Sequence, residues 1–473
     1  MNEAILSQPR TAYWSWLSNP TVFLCLVGVL LPNALSIGSL IAGVGVPPRP
    51  TMVAVYATLA IVARFARPLV TVVAYLVGVT YDAMSTVALL VNLAPKDIVY
   101  ALHLMVELNL FKSPLYVAMT VASMSVVAIN LYLLTTQREL LRRGNPLIMM
   151  GIAAAFGIAD FVTNTSPHYH YGALYASGKP MESAADASGF RQAVLGANQQ
   201  AAVGANVQPT ALAADGRHVL VVVVEALGQF RDPKKQALVM SPLAVPAVLE
   251  RYKLSQGATT YYGSTTAAEM RELCETRESY SVLLSGKQLA CMPERLAARG
   301  YDTVAMHGFT AQMFERAQWY PKLGFRESIF GEDIIKAKPR LCGGPFRGPC
   351  DTDLVPLIEQ RLREARKPTF FYWLTLSTHA PVMPRDGTPR LACAERGGAI
   401  GNAEVCYMTE MWMDVFDKLA DMIPRLPATE ILIVGDHAPP LWWKDARDLF
   451  APGKVPWFRL TPRSDAPQTP KAG

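Results

Sequence analysis

Apolar residues dominate the first third of the chain. Apolar stretches run near 20–45, 51–66, 68–93, 115–135 and 146–163, most of them close to the ~20 residues that a helix needs to cross a bilayer. The stretch 51–66 is marginal, because Arg64 and Arg67 close it early. From residue 217 the pattern changes. "HVLVVVVE" (218–225), "YDTVAMH" (301–307), "TFFYWLTLS" (369–377) and "TEILIVGDH" (429–437) are short, β-branched or aromatic runs of strand type. Between them lie "MPERLAARG", "DLVPLIEQRLREA" and "TEMWMDVFDKLADMI", with helical spacing. This alternation predicts an α/β domain. The valine run at 219–224 fits a parallel strand buried on both faces.

Charge between the apolar stretches sets an expected orientation. Arg10, then Arg64 and Arg67, then Arg138, Arg142 and Arg143 fall in alternate loops; the opposite loops hold Arg49, Lys96 and Lys112. The positive-inside rule then places the N-terminus in the cytoplasm and, after five crossings, everything beyond residue 165 outside. A cleaved signal peptide fits poorly, because the first apolar stretch is long and others follow it. The amphipathic segment 96–112 reads as lying on the outer membrane surface. Asp82, inside the third stretch, divides evenly between helix packing and function, with no partner named. Residues 165–216 turn to Ala, Gly, Gln and Ser, a connector. Its aromatic start, "HYHYGALY", suits a membrane interface, and a surface role for His168 and His170 outweighs a ligand role. The expected organisation is a five-helix transmembrane domain (1–164), a linker (165–216) and an external catalytic domain (217–473).

Composition agrees with this division. The chain has 473 residues, 51% hydrophobic and 17% charged, with mean hydropathy +0.19. Its net charge of +6 is scattered and forms no nucleic-acid patch. Cys25 lies in an apolar stretch, and the other six cysteines all follow residue 217. An even set in an oxidising compartment reads as disulfides. Sequence order suggests Cys274–Cys291, Cys342–Cys350 and Cys393–Cys406, although six cysteines permit fifteen pairings. A structural zinc site is the rival, disfavoured because no CxxC pair is present.

Several strands end in groups suited to metal or acid–base chemistry: Glu225, His307, His379 just after its strand, and Asp436 with His437. In open α/β sheets ligands bind at the carboxyl ends of strands, and Asp, Glu and His are good zinc ligands. An ordinary solvated loop acid is the alternative for Glu225 taken alone. "YYGSTTAAEMREL" (261–273) places Ser264, Thr265 and Thr266 at the head of a helical pattern. There the helix dipole favours an alkoxide or a phosphate. Simple helix capping is the alternative, with T-x-x-E a passable capping box.

The order Glu225, Thr265, His379, Asp436–His437 resembles the sulfatase and alkaline-phosphatase superfamily. Its membrane-bound branch holds lipoteichoic acid synthases, phosphoglycerol transferases of periplasmic glucans and phosphoethanolamine transferases. The resemblance covers nearly the whole chain. It implies an N-terminal α-helical transmembrane bundle joined to an α/β alkaline-phosphatase-like (sulfatase) domain. One divalent metal is implied, zinc or manganese, with magnesium third. It would be held by Glu225, Thr265, Asp436 and His437. "GSTTAAE" is similar to a synthase stretch that makes Thr265 the nucleophile in preference to Thr266. "AMHGFTAQMFERAQWYPKLGF" resembles the synthase segment in which a His and, nine residues later, an Arg hold phosphate, here His307 and Arg316. Two positions depart from it. Phe314 stands where the synthases have Trp, and Phe309 where they have an acid, against a glycerol-recognising pocket. "STHAPV" supplies His379, matching a histidine that contacts substrate or a second metal. The cysteine arrangement resembles the phosphoethanolamine transferases.

What the resemblance implies is a multi-pass transferase of a bacterial inner membrane with its catalytic domain in the periplasm. It would move a phospholipid head group, phosphoethanolamine first, to a periplasmic glycan or lipid A through a phosphothreonine. Phosphoglycerol transfer from phosphatidylglycerol is the alternative. A phosphodiesterase or sulfatase-type hydrolase and an inactive lipid-binding regulator are further rivals. Thr265 does not stand in a C/S-x-P-x-R motif, and the Glu-Thr-Asp-His set is intact.

Overall fold

The computed structural model describes residues 19–44, 49–90, 114–164, 183–195, 217–344 and 346–463. The segment 96–112 and His168 and His170 lie outside the described residues. The chain divides into a helical unit and an α/β unit.

In the helical unit, two helices are long and apolar enough to cross a membrane, Pro68–Thr86 and Val117–Thr136. A third span results if Pro20–Leu30 and Ala34–Ile41, bent by 71°, count as one. The stretches read at 51–66 and 146–163 yield the shorter apolar helices Pro50–Ala63 and Pro146–Ala159. Arg64 explains the early stop of the former. It is buried and donates to the carbonyls of Gly144 (2.7 Å) and Arg142 (2.5 Å), tying two helix ends together. Asp82 now has partners: it pairs with Arg49 and accepts from Tyr56 Oη at 2.8 Å. A carboxylate in an apolar helix is costly unless paired, so packing accounts for it.

The α/β unit is built on a seven-stranded sheet. Its strands are β1 (His218–Val224), β2 (Tyr252–Thr260), β3 (Asp302–His307), β4 (Glu327–Ile329), β5 (Thr369–Leu374), β6 (Thr429–Gly435) and β7 (Lys454–Pro462). They lie in the order β2-β7-β6-β1-β5-β3-β4. β1 runs parallel to β6 and β5, and β3 parallel to β5 and β4, whereas β7 is antiparallel to both β2 and β6. The four strands read from the sequence are the central ones, and β2, β4 and β7 are additions. β2 is largely exposed along its length and lacks the apolar run that marks a buried strand.

The valine run works on both faces. Leu220, Val222 and Val224 join one core with residues of Asp351–Glu364 and Ala403–Met422; Val219, Val221 and Val223 join the other with residues of Thr265–Cys274 and Met292–Ala297. Burying each such side chain contributes roughly 1.5–3 kcal/mol, which holds the sheet centre rigid beneath its carboxyl edge. Within the segment read as a connector, two short helices pack into the second core, one through Ala184 and Ala185 and the other through Phe190, Val194 and Leu195. All three suggested disulfides are formed: Cys274–Cys291, Cys342–Cys350 and Cys393–Cys406. Cys25 is a free thiol.

Candidate metal centre

The strand register brings the site together. Val224 lies opposite Gly435 and Val223 opposite Leu374, so the next residues of three adjacent strands emerge at one level. Glu225, Asp436 and His437 offer ligand atoms all within 4.8 Å of one another, and all three are buried. His437 Nε2 is 3.7 Å from Glu225 Oε1 and 3.4 Å from Asp436 Oδ2. Thr265 Oγ1 completes the group, donating to Glu225 Oε2 at 3.3 Å and lying 3.4 Å from His437 Nε2.

Each member is fixed from behind. The N–H of Glu225 donates to Thr375 Oγ1 (2.8 Å), while its carbonyl accepts from Thr378 Oγ1 (2.7 Å) and Trp412 Nε1 (3.2 Å). Asp436 Oδ1 accepts from the N–H groups of Ala226 (2.8 Å) and His437 (2.6 Å). His437 Nδ1 donates to the Ala438 carbonyl at 2.9 Å, which leaves Nε2 with a lone pair facing the acids. Gly435 is required here: a Cβ would lie 2.0 Å from the Leu227 carbonyl oxygen, in the turn after β1. Arg271 braces the turn after β6 through the carbonyls of Gly435 (3.0 Å) and Asp436 (3.3 Å).

Two carboxylate oxygens, Glu225 Oε1 and Asp436 Oδ2, are buried without a hydrogen-bond partner. Burial drives the Glu225 carboxyl well above its ordinary range, and the neighbouring Asp436 charge adds to the effect. Buried acids are expensive unless paired or coordinating a cation. Two orphan carboxylate oxygens, an imidazole lone pair and a hydroxyl match the N/O donor set of a four-coordinate divalent metal.

His307 ends β3, two strands from Glu225. Its Nδ1 donates to Leu374 O at 3.1 Å, and burial followed by the Arg316 charge holds it well below the ordinary histidine range. Arg316 is buried against Glu269 at 2.9 Å, and its charge also acts on Glu225. His379 donates from Nδ1 to Ala380 O at 2.8 Å, and burial lowers it to about 4. Both histidines therefore present an unprotonated Nε2. Asp351 holds the loop that carries His379, accepting from the N–H groups of Leu376 (3.0 Å) and Ser377 (2.7 Å). The Phe346 ring lies 3.8 Å from the His379 ring and 5.8 Å from Phe309, which in turn lies 6.5 Å from His307.

The capping alternative does not hold for either threonine. Helix Thr265–Cys274 has Ser264 at its N-cap without a side-chain capping bond. Glu269, read as the capping-box acid, turns instead to Arg316, Tyr320 and Tyr372. The supporting roles of Thr375, Thr378, Trp412, Asp351 and Arg271 had no sequence signal, since each depends on contacts across 25 to 187 residues of chain.

Residues 218–441 match the family model described as Sulfatase. No curated protein sequence matches the chain. Among solved structures, the chain is similar to the integral membrane lipooligosaccharide phosphoethanolamine transferase A of Neisseria meningitidis. That match has 14% identity and a TM-score of 0.46, and covers 95% of this chain and 88% of that one. The lipoteichoic acid synthase LtaP of Listeria monocytogenes shares 17% identity over 57% of this chain and 71% of its own, with a TM-score of 0.43. The phosphoglycerol transferase GacH of Streptococcus pyogenes shares 15% over 62% and 80%, with a TM-score of 0.39.

Proposed function

We propose, from the sulfatase-family domain that residues 218–441 form, that the chain is a metal-dependent transferase of a bacterial inner membrane. It takes a phosphorus-containing head group from a phospholipid and passes it to a periplasmic glycan or lipid A. The observation that carries this reading is the buried cluster of Glu225, Asp436 and His437 around the Thr265 hydroxyl, with two carboxylate oxygens left unpartnered.

Glu225, Asp436, His437 and Thr265 would hold the divalent metal, which supplies Lewis-acid stabilisation of the threonine alkoxide and of phosphoryl oxygen. The Thr265 proton leaves along the contact to Glu225 Oε2. The Thr265 oxygen then bonds to phosphorus while the bond from phosphorus to the diacylglycerol oxygen breaks, leaving a head-group phosphothreonine. Thr265 stands at the first turn of its ten-residue helix, where the free N–H groups favour that added negative charge. Arg316 offsets charge on the equatorial oxygens, and His307 would join it once the bound anion has raised its pKa enough to protonate Nε2. His379 Nε2 would exchange a proton with the two alcohols, the departing diacylglycerol and the incoming acceptor hydroxyl. The anionic phosphodiester, once bound, raises that histidine toward the operating pH.

Phosphoethanolamine is the favoured head group. Phe309 and Phe346 border His307 and His379 with aromatic rings, whose faces would attract an ammonium group and which offer no hydrogen-bond partner to glycerol hydroxyls. Incubation of the purified full-length protein with phosphatidylethanolamine or phosphatidylglycerol, each labelled in the head group, tests this reading. Diacylglycerol release from phosphatidylethanolamine with the label on protein or acceptor is expected. Turnover of phosphatidylglycerol alone would reassign the head group, and turnover of neither would remove the function.

A further inference from the structure

Glu269 follows Thr265 by one helical turn and is fully buried. Its Oε2 accepts from Arg316 Nε at 3.2 Å and Nη2 at 2.9 Å; its Oε1 accepts from Tyr372 Oη at 3.2 Å and from Tyr320 Oη. A single carboxylate thus satisfies four donors. Arg316 Nη1 gives one further bond to Met313 O at 3.3 Å, and Phe314 covers the guanidinium face at 5.4 Å. Three of the five guanidinium N–H groups are therefore committed, leaving one on each terminal nitrogen for an anion. A buried ion pair of this kind is seldom kept for stability, because an apolar replacement of equal volume often does as well. It does hold a planar donor fork in one orientation.

We propose that Glu269 is a positioning residue for substrate: it locks the Arg316 guanidinium so that its two uncommitted N–H groups receive the phosphoryl oxygens of the phosphodiester. This rests on the transferase reading only for the identity of the ester, because the anion-binding step stands for any phosphate-containing substrate. The two tyrosines finish the lock by fixing the carboxylate itself. Glu269 is also on the nucleophile's own helix, so the clamp and Thr265 keep a constant separation.

The test uses the full-length protein loaded with zinc and inorganic phosphate as the probe, with binding followed by calorimetry and transfer by diacylglycerol release. Glu269→Gln keeps the shape and loses the charge. It is expected to weaken phosphate binding by roughly tenfold to a hundredfold, the worth of one charge-assisted hydrogen bond, with zinc content unchanged. Arg316→Lys should lose a comparable factor, and the double variant should be no worse than Arg316→Lys alone, because both act through one group. A double variant whose losses multiply, or Glu269→Gln with wild-type phosphate affinity, would overturn the proposal. Should Glu269→Gln fail to fold, Tyr372→Phe removes one bond to the carboxylate. It should weaken phosphate binding in the wild-type background and not beside Arg316→Lys; no effect in either background would overturn the proposal equally. Phosphate binding that follows this pattern without lipid turnover would sink the transferase function and leave the role of Glu269 standing.

Discussion

Replacing Asp436 by Asn should make the metal-free protein more stable while abolishing its response to metal. The Asn side-chain oxygen can still accept from Ala226 and His437, as Asp436 Oδ1 does at 2.8 and 2.6 Å. The amide nitrogen takes the place of Oδ2, which is buried without a partner, and becomes a donor facing Glu225. Asp436 and Glu225 lie within 4.8 Å, where two unit charges repel by about 3.5 kcal/mol at an effective dielectric near 20. Proton uptake by Glu225, whose carboxyl is already driven up, relieves part of that, so the net gain should be about 1–3 kcal/mol. For a domain of this size each kcal/mol moves the melting temperature by roughly 2–4 °C. In chelator, Asp436→Asn should therefore melt several degrees above wild type. With zinc at about a hundred times its Kd the wild type should gain about 2.7 kcal/mol, and the variant nothing. Differential scanning calorimetry of the full-length protein in chelator and in zinc, with metal analysis, decides it. A variant that melts lower than wild type in chelator, or that still binds zinc stoichiometrically, refutes the reasoning.

Three further outcomes are expected. Thr265→Ala should lose all turnover and Thr266→Ala keep much of it, and mass spectrometry after brief exposure to phospholipid should find the head-group phosphate on Thr265; an adduct on Ser264 or Thr266 would move the nucleophile. His218 is buried, accepts from the Thr369 N–H at 3.1 Å and is held at about 4 by burial. The unfolded chain, titrating near 6.5, binds more protons between those values, so this stability is present above pH 6.5 and lost as pH falls. Denaturant titrations should find about 2 kcal/mol more lost from pH 8 to pH 5 in wild type than in His218→Asn, and equal losses would refute it. Removing Cys274–Cys291, a loop of 17 residues, should cost about 3 kcal/mol in the chain-entropy account, read as a lower denaturation midpoint in the double Cys→Ser variant.

The readable parts of the sequence were those with local physical causes. β1, β3, β5 and β6 stood out because strands covered on both faces must be apolar throughout, and the groups that end them were visible where the apolar runs stop. Thr265 was visible because a small-residue turn precedes a helical pattern. The disulfides followed sequence order, since each closes a short loop. The edge strand β2 was not legible, because a half-exposed antiparallel strand carries polar residues and no distinctive period; β7 is mostly buried, but its apolar residues are interrupted by Pro456 and Arg459. The helices at 184–195 were hidden in a composition that also suits a linker; only burial of Phe190, Val194 and Leu195 against the sheet distinguishes them. Among the described residues the stretch at 51–66 gives a shorter helix, because Arg64 is spent on helix-end carbonyls and closes it.

The partners of Glu269 show how the site is assembled. A capping acid would serve only its own helix, whereas this one reaches Arg316, which opens the short helix Arg316–Trp319 beyond β3. Two residues further on, Arg271 reaches the carbonyls that set the turn after β6. Glu272 next to it accepts from the N–H groups of Ala184 and Ala185, both at 3.1 Å, and so docks the start of the connector helices. Its last residue, Cys274, is bonded to Cys291. One helix of ten residues therefore carries the Thr265 hydroxyl, holds the carboxylate that pairs with Arg316, braces the turn after β6 and anchors the short helices that precede β1. A side chain at such a crossing is constrained by several partners at once, so its identity reads as ambiguous from sequence while its position in the fold is fully determined.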